Sequence, residues 1–196
     1  MGQGGVVLDD LALPVLLTAR TGTVTLRNAV DDDLDALVAL LADDPVSAAR
    51  GDVAAPEDRP RYAAALRSVV DDPANALLVV EDETGRLVGT LQLTRIPGMA
   101  RRGARRLLVE AVRVSSALRS GGIGTAVMRW VTDVAAPALD TPLVQLTSDA
   151  ARTDAHRFYE RLGFTGSHVG FKYRVPGSGP GAASGGSEAG GGAQPK

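Results

Sequence analysis

Arg119-Ser120-Gly121-Gly122-Ile123-Gly124-Thr125 is the segment of this chain best suited to hold an anion. Its three glycines let a backbone approach a ligand closely, and they open a stretch with helical apolar spacing, Ile123, Val127, Trp130, Val131 and Val134. The first N–H groups of a helix lack acceptors inside it and carry the positive end of the helix dipole, so they attract phosphate groups. Arg119 adds a cation at the same place. A P-loop would need Gly-Lys-Ser/Thr after four intervening residues, which is absent, and a dinucleotide fingerprint would need glycine where Val127 stands. The same glycines would equally serve a tight strand-to-helix turn that binds nothing.

The elements that must hold this loop alternate along the chain. Residues 23–29 (TVTLRNA) alternate apolar and polar and predict a strand. Asp31, Asp32 and Asp33 form an acidic helix start, followed by Leu34, Leu37, Val38 and Leu41 at helical spacing. A second helix is expected over residues 56–70, ended by Pro73. Residues 76–82 and 86–94 read as a hairpin around Glu83-Thr84-Gly85, and residues 105–114 as a long strand leading into the anion loop. Residues 142–147 predict a strand, 154–162 a helix stopped by Gly163, and 164–166 and 168–175 two last strands. The order β-α-α-β-β-β-α-β-α-β-β implies an α/β (α+β) fold, a mixed sheet with helices on both faces. Residues 1–22 read as a flexible extension, 23–175 as the folded domain, and 176–196, mostly Gly, Ser, Ala and Pro, as a disordered tail.

Composition narrows the chemistry. There is no cysteine, which excludes disulfides, thiolate metal sites and a cysteine-borne intermediate, and two histidines, His156 and His168, are too few for a histidine-rich metal centre. No metal is expected. Residues 1–100 carry 16 Asp/Glu against 8 Lys/Arg, whereas residues 101–175 carry 6 against 12. That asymmetry suits an anion on one side of a site and a cation on the other, or simply two solvated surfaces. Arg101, Arg102, Arg105 and Arg106 make a basic turn, but a net charge of −2 without interleaved aromatics argues against nucleic acid as a partner. No apolar run is long enough for a membrane helix. Asp9, Asp10 and Pro14 break the one early candidate, so a cytoplasmic location is expected.

Residues 119–125 fit the R/Q-x-x-G-x-G/A pattern of the GNAT superfamily of N-acetyltransferases. About forty residues on, Ala155-His156-Arg157-Phe158-Tyr159-Glu160-Arg161-Leu162-Gly163-Phe164 resembles that family's A-x-x-F-Y-x-R-L-G-F helix and turn. The resemblance covers residues 23–175 and implies the GNAT fold, whose fourth and fifth strands (105–114 and 142–147 here) splay apart. It implies that acetyl-CoA is the cosubstrate. The backbone of Val112, Arg113 and Val114 would hold its pantetheine arm, and Arg119, Ser120, Gly121, Gly122, Ile123, Gly124 and Thr125 its diphosphate. Arg152 stands where many members carry Asn against the cofactor, which questions that one contact.

Within this resemblance, acetyl transfer to an amine needs a base near the ammonium and an acid for the departing thiolate. Glu110 lies between Val109 and Ala111 in an apolar run, where burial would raise its pKa and suit it as base, directly or through water. It could instead pair with Arg113 or Arg105. Tyr159 is the candidate acid, its phenol being able to protonate an alkyl thiolate, although Ala155, Phe158, Tyr159 and Leu162 also share a face suited to core packing. With no cysteine to carry the acyl group, transfer would be direct in a ternary complex. The acceptor would be a small-molecule or peptide amine, and the acidic first half favours a cationic one. The competing reading is a catalytically weak acyl-CoA-binding module that senses the cosubstrate or binds a partner. Dimers are common in this fold, and a homodimer is compatible with the chain.

Overall fold

Successive side chains of a strand point to opposite faces of its sheet, and an apolar run such as residues 76–80 supplies a face to each of two helix layers. The structure, a computed structural model, describes residues 7–44, 54–173, 175 and 176. Among the described residues six strands lie in chain order across one sheet: β1 (Val15–Ala19), β2 (Gly22–Asn28), β3 (Asn75–Glu81), β4 (Leu87–Ile96), β5 (Arg106–Val114) and β6 (Leu143–Leu146). Neighbours from β1 to β5 pair antiparallel, and β5 pairs parallel with β6. A parallel pair needs a crossover, and the helix after the anion loop supplies it.

The two faces of β3 show the layering. Leu78 and Val80 join the core that packs under α3 (Ile123–Trp130), with Leu26, Leu91, Leu93, Leu107, Val127 and Trp130. Leu77 and Val79 face the other way, against Leu34 and Leu37 of α1 (Leu34–Ala42) and Leu66 of α2 (Arg59–Val70). Leu26 and Leu78 are completely buried, each contributing about 1.5–3 kcal/mol of transfer free energy. The last helix, α4 (Thr153–Arg161), presents Phe158 and Tyr159 to the first core.

The N-terminal residues differ from expectation. Leu8 and Leu11 are buried in the main core, and β1 pairs with β2 over Val15↔Leu26 to Ala19↔Gly22. Asp9, Asp10 and Pro14 break the apolar pattern, but Leu13, Val15, Leu17 and Ala19 keep a period of two and pack against the core. Residues 7–22 are therefore not a loose extension.

The strands expected at 164–166 and 168–175 are also absent among the described residues. Phe164 is committed to ending α4. Its N–H bonds the Tyr159 carbonyl (3.1 Å), the Gly163 N–H bonds that of Glu160 (2.9 Å), and Gly163 has φ 91°, a Schellman cap. Compact packing of the sheet unit ends at Gly166. Residues 167–196 form a second unit whose described part has no strand or helix, and Gly170 weakens any strand there. All but Pro176 of the expected tail, 176–196, lies outside the described residues.

A third difference sits at the end of α3. The helix continues as a π turn over Val131–Ala135 and a last turn at Ala136–Ala138. Pro137 has no N–H to give the Asp133 carbonyl, so the regular ladder cannot run through it. The extra residue per turn rotates the side chains around it: Ala135 and Leu139 are buried, while Val134, expected on the apolar face, is 52% exposed.

Candidate active site

The glycine loop, residues 119–125, follows β5, the strand that outruns its partner β6. Their pairing runs from Arg106↔Leu143 to Val109↔Leu146 and stops, while β5 continues to Val114 paired only with β4 on its other side. That divergence is the splay the sequence led us to expect. A β-bulge lies on the stretch that β6 leaves: against β4, Gln92 faces Glu110 and Thr90 faces Arg113, so Leu91 alone opposes Ala111 and Val112. Ala111 takes a left-handed φ of 50°, and bulges of this kind re-aim side chains beside functional sites.

Beyond Val114 the chain turns through Ser116–Leu118 into the loop, where Ser120 (φ 65°) and Gly122 (φ 88°) are both left-handed. The first backbone bond of α3 runs from the Ala126 N–H to the Gly122 carbonyl (3.0 Å). Ile123, Gly124 and Thr125 therefore present N–H groups that have no acceptor within the helix. A side chain at Gly124 would touch Phe158 at 3.5 Å and Val114 at 3.8 Å, so β5, the loop and α4 converge there. Val112 and Val114 are half-buried against the main core, and the Arg113 guanidinium donates to the Val112 carbonyl (2.9 Å).

Tyr159 stands on the α4 face that closes this region. Its ring meets those of Phe158 and Phe164 edge-on, at 5.1 and 5.8 Å between centroids. Burial pushes the Tyr159 phenol above its ordinary pKa, and the positive charges of Arg113 and Arg152 partly oppose that shift. Both arginines are thus electrostatic neighbours of the phenol, whose ring packs partly buried against the main core.

Glu110 is placed differently from expectation. It is exposed on β5, so the burial that was to tune it is not there. Nor is it spent on the suggested ion pairs, because Arg105 pairs with Asp140 at 2.7 Å and Arg113 caps the Val112 carbonyl. The bulge at Ala111 separates Glu110 from the loop end of β5, and no contact joins it to Tyr159 among the described residues.

Two site residues escaped the sequence reading, Asp43 and Asp44 at the end of α1. Asp43 accepts the backbone N–H of Ser116 (2.7 Å) and its hydroxyl (2.9 Å), which hold its carboxyl below the ordinary carboxylate range. Asp44, 8% exposed, pairs with Arg152 and lies 3.8 Å from Arg119. The position where Asn was expected is therefore an arginine clasped by α1. A signal was available: two carboxylates at a helix C-terminus oppose the helix dipole and need partners outside the helix.

Elsewhere in the first half several carboxylates are paired with arginines. Asp33, Asp35, Asp58 and Asp31 pair with Arg27, Arg59, Arg61 and Arg67. His156 bonds the Asp149 carbonyl (2.8 Å), and His168 bonds Ser167 (2.7 Å) within the second unit. Among the described residues no three His, Asp or Glu side chains cluster as a metal site would require, and no helix is long and apolar enough to cross a membrane. A groove of about 840 Å³ adjoins the loop at Gly122 and Thr125, with Arg20, Arg129 and Arg161 on its walls.

The sequence profile of the Acetyltransferase (GNAT) family matches residues 34–164. The chain belongs to the GNAT acetyltransferase family. A crystal structure described as a transcriptional regulator from Bacillus halodurans C-125 is 36% identical, with TM-score 0.69, covering 78% of this chain and 99% of that one. Glucosamine-6-phosphate N-acetyltransferase from Arabidopsis thaliana is similar in fold (TM-score 0.62, 17% identity, 77% and 97% covered). So is the aminoglycoside acetyltransferase HMB0005 from an uncultured soil metagenomic sample (TM-score 0.59, 18% identity, 78% and 98% covered). No curated protein matches the chain. In this GNAT domain the profile begins at α1, so β1 and β2 lie outside the matched residues.

Proposed function

We propose that this GNAT protein transfers the acetyl group of acetyl-CoA directly to a primary amine, as a cytoplasmic N-acetyltransferase. The observation that carries the reading is the convergence of three features: the end of β5 left unpaired by β6, the N–H groups opening α3, and Tyr159 beside two arginines. The residues suit acetyl-CoA. Backbone at Val112, Arg113 and Val114 is unpaired by β6 and would receive the extended pantetheine arm as an added strand. Residues 120–125 would hold the diphosphate, with Arg119 as counter-charge.

In this reading acetyl-CoA supplies an activated thioester carbon. The amine nitrogen bonds that carbon, the carbon–sulfur bond breaks, and Tyr159 gives its proton to the leaving sulfur. A phenol is protonated at neutral pH, which an acid requires, and burial raises its pKa further. The amine's proton leaves through water to Glu110, whose exposure fits a relayed base. The absence of cysteine supports a ternary complex over an acyl-enzyme. The acceptor is a small-molecule or peptide amine.

The test is release of CoA thiol from acetyl-CoA across a panel of polyamines, aminoglycosides, amino acids and peptides, read with a thiol-reactive dye. The protein has no thiol to contribute background. Release that depends on one amine class supports the reading. The second reading, an acyl-CoA sensor with weak catalysis, is favoured by the 36% identical structure described as a regulator. Binding of acetyl-CoA with no release across the panel would favour it.

A further inference from the structure

We propose that the β1–β2 hairpin is part of the acetyl-CoA site, with Arg20 and Thr21 as positioning residues for the diphosphate loop. The inference rests on the reading that residues 120–125 take the diphosphate, and the hairpin lies outside the residues that match the family profile.

The turn of this hairpin reaches the loop from a hundred residues away in sequence. Arg20 Nη2 donates to the Ser120 carbonyl. Thr21 donates to the Gly121 carbonyl twice, from its backbone N–H at 3.2 Å and from its hydroxyl at 3.3 Å. Loop carbonyls are the ends that would repel a phosphate, and both are tied to the hairpin. In a trans peptide the carbonyl and the following N–H point in opposite directions, so anchoring the Gly121 carbonyl aims the Gly122 N–H away from the hairpin. Ser120 holds a left-handed φ of 65° without being glycine, a conformation that persists only when its surroundings fix it.

The glycines bear the imprint of the same contact. A Cβ at Gly121 would lie 2.9 Å from Thr21 Oγ1 and from the Leu118 carbonyl, and one at Gly122 would lie 2.9 Å from the Arg20 backbone nitrogen. The nearest atom to a Cβ at Gly124 is 3.5 Å away, an ordinary contact. Two of the three glycines thus admit the hairpin rather than a ligand, and the hairpin in turn holds the loop in an anion-ready form. A preformed loop avoids the ordering cost that a mobile one meets on binding. Arg20 also lines the groove beside Gly122, keeping a cation next to the loop.

The experiment is calorimetric titration of CoA into the full chain, with melting temperatures measured alongside. The variants are Arg20→Ala, Arg20→Lys, Thr21→Val, Thr21→Ser and, as a control on the same hairpin, Leu16→Ala, whose side chain is 70% exposed. Arg20→Ala and Thr21→Val are each expected to raise the CoA dissociation constant about three- to tenfold, the loss of one or two hydrogen bonds. Arg20→Lys and Thr21→Ser recover part of that loss, and Leu16→Ala binds as the wild type does. With an acetyl acceptor in hand, the KM for acetyl-CoA rises while kcat holds. Wild-type affinity in both Arg20→Ala and Thr21→Val overturns the inference and leaves the donor reading standing. A wild-type chain that binds no CoA overturns both.

Discussion

Asp44→Asn separates stability from affinity. The Asp44 side chain is 11% exposed, its partner Arg152 24%, and Arg119, 3.8 Å away, 53%. Removing one member of a fully buried ion pair costs about 3–5 kcal/mol. Arg152 keeps a quarter of its surface in water and Asn retains a hydrogen-bond acceptor, so the expected cost is about 2 kcal/mol. For a folded unit of this size that lowers the melting temperature by roughly 4–8 °C. Binding moves the other way. The substitution leaves the loop region one charge more positive, and one charge acting over about 8 Å at an effective dielectric of about 40–80 contributes roughly 0.5–1 kcal/mol. CoA affinity should rise about two- to fivefold, with a steeper fall as salt is added. Thermal melting and calorimetry of the two proteins in one buffer read both effects. An unchanged melting temperature, or weaker CoA binding, would refute the view that Asp44 both ties α1 to Arg152 and competes with phosphate for the arginines.

Two further predictions concern other groups. Tyr159→Phe should lower kcat about 10²- to 10⁴-fold while leaving the acetyl-CoA KM near wild type; because burial raises the phenol's pKa, the wild-type alkaline limb attributable to this acid should lie above the ordinary tyrosine value near 10, as a pH–rate profile would show. Asp33 titrates below its ordinary range, chiefly through its hydrogen bonds to Arg27, so the stability it contributes is present above about pH 4 and is lost as pH falls through its lowered value. Arg27→Met should melt lower at pH 7 and lose less between pH 5 and about pH 2 than the wild type does, as calorimetric scans would reveal.

The parts of this protein that repeat a local pattern were legible in the sequence. Residues 76–82 and 86–94, two apolar-rich runs flanking Glu83-Thr84-Gly85, became β3 and β4, and Gly163 ends α4 with a positive φ as its position implied. β1 was hidden because Asp9, Asp10 and Pro14 interrupt a period of two that only the core contacts of Leu13, Val15 and Leu17 make visible. The bulge at Ala111 was not legible, since register depends on the β4 partner, and with it went the expected burial of Glu110. Arg20 to Ser120 and Asp44 to Arg152 each join residues about a hundred positions apart, and no spacing rule encodes such a pair. The glycines were read as letting the backbone come close to an anion; in the structure the groups beside Gly121 and Gly122 include Thr21 and Arg20 of the protein's own hairpin.

The most direct test of the central claim is the melting temperature of the wild-type chain with and without acetyl-CoA. At a concentration about 100 times its dissociation constant, a ligand that binds only the folded state stabilises it by about 2.7 kcal/mol, which for this size raises the melting temperature by roughly 5–10 °C. The account predicts that rise with acetyl-CoA and with CoA. No shift with either, at concentrations up to the millimolar range, would contradict it.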